Sequence, residues 1–202
     1  RLARQGIRLL WTSTAKRTFH AERCAERAYH YVLPLDWLEG WRDDEPALFD
    51  EQREPGGKYG VERRHHKTRD EGSSQARETL RSLKAVLRAA EDAFSEGHSW
   101  HNLATTTRSV SANASPMTCA LERFRVADLV RDAQGRPHAI VELRAQHFVR
   151  AQVRRLIAAA VAVQRGLLPW DFWTTVARMD VVADLDDLVA PKGRLYFAGA
   201  RY

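Results

Sequence analysis

Arginines 150, 154 and 155 stand inside the stretch Gln146-His147-Phe148-Val149-Arg150-Ala151-Gln152-Val153-Arg154-Arg155-Leu156-Ile157, and the chemistry they suggest is the holding of an anion. Val149, Val153, Leu156, Ala160 and Val163 recur at alternating steps of four and three, which predicts a helix with one apolar stripe. Arg150 and Arg154 then stand one turn apart on a neighbouring face. The preceding residues Ala139-Ile140-Val141-Glu142-Leu143-Arg144 alternate and are β-branched, so a strand is expected to feed the helix directly. Such a junction gathers arginines around the free backbone amides of a helix start, a natural seat for phosphate. The plainer reading of the same arginines is a solvated helix face. Further back, Arg27, Tyr29, Tyr31 and Leu33 share one face of an expected strand over 25–33, with Ala28, His30 and Val32 on the other. Aromatic rings on a strand usually pack inward, but a partly open ring beside an arginine is also how an unpaired base is stacked.

Other reactive side chains carry less. His65-His66 has no cysteine or second histidine pair at ligand spacing, so no metal site is expected. The two cysteines, Cys24 and Cys119, show no metal-ligand spacing and cannot form a disulfide framework, which fits core thiols in a reducing compartment.

The elements that must position these residues can be read in order. Ile7, Leu9 and Trp11 alternate as a half-buried strand, and Pro34 closes the strand over 25–33. Residues 41–74 are rich in charge, glycine and turn formers, with an acidic run preceding a basic one, and read as a flexible insertion. Leu80, Leu83, Leu87, Ala90 and Phe94 form a helical stripe with Ser74 as its expected cap and Gly97 as its stop. Residues 118–130 and 138–145 flank Asp132-Ala133-Gln134-Gly135-Arg136-Pro137 as a hairpin. The arginine-bearing helix closes near Gly166, Pro169 opens a short helix carrying Trp170, Trp173 and Val176, and Pro191 introduces a last strand. The expectation is one α+β domain over 1–202, mainly an antiparallel sheet with helices packed on one face and the other face left to hold RNA.

The 202 residues carry a net charge of +6, which favours a polyanionic partner because each neutralised phosphate releases counterions. No apolar run is long enough to cross a bilayer and no basic amphipathic helix carries exposed aromatics, so nucleic acid is preferred over membrane. The chain opens on Arg1 and enters a strand pattern almost at once, so a fragment is expected, with any targeting segment upstream.

The segment from Gln146 to Ile157 resembles the signature helix of the TruA-type tRNA pseudouridine synthases, and the wording Gln152-Val153-Arg154-Arg155 is closer to their eukaryotic branch. Thr18-Phe19-His20-Ala21 followed by Arg27-Ala28-Tyr29-His30-Tyr31, and Ala190-Pro191 running into Gly193-Arg194-Leu195-Tyr196-Phe197, resemble two further family motifs in the right order. Gly97-His98-Ser99-Trp100-His101-Asn102-Leu103 is similar to a fourth, shifted and altered. The resemblance implies the second half of a pseudouridine synthase catalytic domain, in which two similar α+β halves join their sheets around a basic cleft. It implies isomerisation of uridine to pseudouridine in tRNA or another structured RNA, without metal or organic cofactor, in an intracellular compartment such as nucleus or mitochondrion. By position, Tyr29 corresponds to the active-site tyrosine, which would stack on the base and remove or relay the proton at its carbon five, and Arg154 to the arginine that pairs with the catalytic Asp. Phe148 and Leu195 would wall the pocket, while Arg27, Arg144, Arg150, Arg155, His98 and Asn102 would contact RNA.

Two departures stand out. Ala158 occupies a position where the family helix usually has Gly, which should alter only packing. The catalytic Asp loop has no match. Thr68-Arg69-Asp70-Glu71-Gly72 echoes it superficially, but in scrambled order, in polar surroundings and on the wrong side of the Tyr29 motif, so Asp70 is not assigned as nucleophile. The implied partner is an N-terminal half that carries the Asp, and this chain alone should be inactive. Two other readings remain open: a non-catalytic RNA-binding module, and an assembly subunit docking through Trp37, Trp41, Trp170 and Trp173.

Overall fold

A computed structural model of the chain describes residues 24–39, 71–104 and 120–202. The strand expected at 7–11, the Thr18-Phe19-His20-Ala21 motif, Trp41, His65-His66, Asp70, Cys119 and most of the 41–74 insertion lie outside the described residues.

The elements are β1 (Glu26–Pro34), α1 (Glu71–Phe94), β2 (Leu121–Arg131), β3 (Pro137–Ala145), α2 (Gln152–Gln164), α3 (Phe172–Ala177) and β4 (Leu195–Arg201). Among the described residues the four strands form one antiparallel sheet in the order β2-β3-β1-β4, an α+β fold with the helices packed on the sheet. The hairpin between β2 and β3 closes through Asp132, whose Oδ1 accepts the amides of Gln134 and Arg136, both at 2.9 Å, while Gly135 takes a left-handed φ of +78°.

The alternation in β1 sends Tyr31 and Leu33 into the core with Phe124, Val141 and Leu143 from the strands beside it. The α1 stripe of Leu80, Leu83, Leu87, Ala90 and Phe94 is buried against this layer, and Phe94 stacks on Trp100 with ring centroids 4.6 Å apart. The described part of helix α1 already includes residues 71–74, so Ser74 stands inside it rather than at its cap. On the opposite sheet face a polar row crosses the strands in register, Arg125, Glu142 and His30.

The arginine-bearing helix starts later than its periodicity suggests. Ala151 adopts φ +62°, outside the right-handed region, and the Gln152 side chain folds back so that its Oε1 accepts the Val149 amide at 2.7 Å. Residues 146–151 are therefore a loop between β3 and α2, and Arg150 lies on that loop rather than one helical turn before Arg154. The expected tryptophan surface also changes: Trp173 is buried, Trp37 is half-buried beneath the Arg194 guanidinium, and Trp170 is exposed.

Candidate functional site

At the N-terminal end of α2 a pocket of about 450 Å³ is lined by Tyr29 from β1, Phe148 to Ala151 from the loop, Val153 and Arg154 from α2, and Lys192 and Leu195 at the start of β4. Three stretches far apart in sequence thus bring together Tyr29, Phe148, Arg154 and Leu195. Register explains half of this. Tyr29 pairs with Phe197 and Tyr31 with Leu195 across β1 and β4, so these side chains share the helix-bearing face. The candidate residues accordingly gather on that face, not on the opposite one expected to hold RNA.

The Tyr29 ring is fixed from two sides. It meets Phe148 edge-on at 5.4 Å and 88°, and Phe197 at 5.5 Å and 70°. Arg154 is tied to the start of the last strand twice: its Nη1 donates to the Ala190 carbonyl at 3.2 Å, and its own carbonyl accepts the Ala190 amide at 3.1 Å. Beneath the pocket the Tyr31 hydroxyl donates to the Pro191 carbonyl at 3.2 Å. Burial pushes that hydroxyl up to about 12, against the opposing pull of Arg194 and Arg154, so it stays protonated and neutral as a donor. The backbone that presents Lys192 is thereby anchored.

Arg150, Arg154 and Lys192 give the pocket three cations, and among the described residues no carboxylate lines it. Such a hollow, with one wall of aromatic rings, suits a phosphorylated ligand with a flat ring.

Other residues assigned to RNA from sequence take different places. Arg155 is 2% exposed; its Nη1 donates to the Ala104 carbonyl and its Nη2 to Asp186 Oδ1, each at 2.6 Å. Asn102 is buried too, with Nδ2 donating to the carbonyls of Val176 and Val181 at 2.9 and 3.0 Å and Oδ1 accepting the Ala183 amide at 2.8 Å. Both are corrections to the RNA-contact assignment. The irregular segment 178–190 has no ladder to satisfy its polar groups, and these side chains satisfy them instead.

Arg144 donates to Glu142 Oε1 from Nε at 2.7 Å and reaches Glu26 at 3.4 Å, on the face away from the pocket. Burial raises the Glu142 carboxyl, but hydrogen bonds from Arg144 and Arg125 outweigh it and hold the group below the ordinary carboxylate range. Arg144 is thus engaged in a carboxylate network rather than presented to the pocket. Arg27 lies on β1 opposite Ala145 and Ala200, and His98 is exposed just beyond α1 with its ring near Phe94; neither lines the pocket.

Lys192 and Ala151 were missed by sequence reasoning. Lys192 had a signal, since it follows Ala190-Pro191 at the head of the last strand, whereas alanine is a good helix former and hides a left-handed turn. A second hollow of about 380 Å³ lies further along α2 between Trp37, Ala158, Val161 and Leu188, with Arg165 at its wall. Ala158 faces this hollow rather than the basic pocket. No protein-family model matches the chain, and no curated protein matches it. Among the described residues no helix is long and apolar enough to cross a membrane.

Proposed function

We propose that the chain is the tyrosine- and arginine-bearing half of an RNA pseudouridine synthase that acts on uridine in tRNA or another structured RNA. The observation that carries this reading is the meeting of Tyr29, Phe148, Arg154 and Leu195 in one basic pocket. In the reaction the bond from uracil N1 to ribose C1′ breaks and one from C5 to C1′ forms. The proton lost from C5 is balanced by one gained at N1. A uridine inside a helix must first leave the stack, and an aromatic wall with flanking cations compensates part of that cost. Tyr29 then packs on the base and serves the C5 proton, while Arg150 and Lys192 hold neighbouring phosphates. Arg154 pairs with the catalytic Asp and favours its ionised form. That Asp is supplied by the N-terminal half.

Incubating the chain alone with bulk tRNA should give salt-sensitive binding and no pseudouridine. Turnover by the chain alone that vanishes in Asp70→Ala would overturn the proposal. With the N-terminal half added, Arg154→Ala should remove turnover far more than RNA affinity, because one phosphate-sized contact is a small share of binding. Equal losses would make Arg154 an ordinary anchor. A non-catalytic RNA-binding module is the second reading, favoured by the lack of a carboxylate among the described pocket residues. It expects no turnover even when both halves are present.

A further inference from the structure

Phe197 is 61% exposed on β4, which among the described residues is an edge strand of the sheet, where bare apolar side chains invite unwanted pairing. Its ring stands in register with Tyr29 on the same face and meets it at 5.5 Å, so the aromatic wall of the pocket continues outward past its rim. The pocket that Tyr29 borders carries the cations Arg150, Arg154 and Lys192.

We infer that Phe197 is the stacking platform for the base next to the one held in the pocket, so that the chain grips two successive nucleotides of an unpaired RNA segment. The inference rests on reading the pocket as a nucleotide site. Charge complementarity favours RNA as the occupant over an apolar protein surface, since the ring adjoins Tyr29 of a pocket that holds three cations, as a base adjoins phosphates along a strand. Tyr29 takes the reacting base, and Phe197 holds its neighbour clear of the helix it left.

The test uses the full chain and a short single-stranded RNA with one uridine flanked by 2-aminopurine, whose fluorescence is quenched on stacking. Phe197→Ala should weaken binding roughly 5- to 150-fold, the range that base–aromatic stacking provides, and abolish the quench. Phe197→Trp should retain both. On RNA with an abasic residue at the flanking position, Phe197→Ala should change affinity little, because the partner of the ring is already gone. An equal loss on abasic and normal RNA would show a structural effect and sink the idea. If Arg150→Ala weakens binding while Phe197→Ala does not, the platform is wrong and the pocket reading stands. If the unaltered chain binds none of these RNAs, both fail. If Phe197→Ala leaves RNA binding intact but blocks association with the N-terminal half, the ring serves a protein partner instead.

Discussion

A guanidinium inside a protein needs carbonyls or carboxylates in place of its hydration, and Arg155 finds them at Ala104 and Asp186. Arg154, one residue earlier, borders the pocket and spends one donor on the Ala190 carbonyl. Arg155→Ala should therefore lower stability by about 2–3 kcal/mol, near the lower end for a broken buried pair because Asp186 is largely exposed. Arg150→Ala, at an exposed loop position, should cost less, at most about 1 kcal/mol, the range of a solvent-screened contact. RNA affinity should fall in the opposite order at matched folded fractions. Urea denaturation and filter binding of the two variants check both halves of the statement, and an exposed-site cost larger than the buried one would refute it.

At the scale of elements, the entry to α2 carries strain. A non-glycine residue in the left-handed region costs about 1–2 kcal/mol, and Ala151 stands there with φ +62°. Glycine removes that cost but adds freedom to the unfolded chain, so Ala151→Gly should raise stability by about 0.5–1 kcal/mol. A lower urea midpoint in that variant would mean the turn is not strained. The sheet face away from the pocket is tied by Glu142, which joins Arg125 to Arg144 across β2 and β3. Its folded carboxyl lies below its unfolded value, so it adds stability above the ordinary carboxylate range, and that contribution is lost as pH falls through the folded value. Glu142→Gln should lower stability at neutral pH and flatten the loss on acidification, as read from denaturation midpoints between pH 7 and 3.

For the whole molecule, a net charge of +6 acts through long-range attraction that salt screens, while the pocket supplies a fixed set of contacts. Each phosphate neutralised on a single strand adds about 0.7 to the slope of log affinity against log salt. Replacing Arg150 and Lys192 together should make that slope shallower by about 1.4, whereas replacing Arg155 should leave it unchanged. Salt titrations of RNA binding separate the two.

Periodicity alone determined most of the framework. Alternation at Tyr29, Tyr31 and Leu33 marks one strand face, the Leu80 to Phe94 stripe marks a helix, and the Asp132 to Pro137 turn marks a hairpin, because each pattern reports backbone geometry within a few residues. Nothing local says that Tyr29 and Leu195 will lie on adjacent strands; their association came from motif order, and β1–β4 pairing brings them to one wall. The fate of the polar side chains was decided in three dimensions. Arg155 and Asn102 go inside because residue 104, the end of α3 and the irregular segment 178–190 offer them carbonyls and amides, partners 51 to 81 residues away. Burial of a polar group depends on who meets it, and only the folded chain supplies the partner.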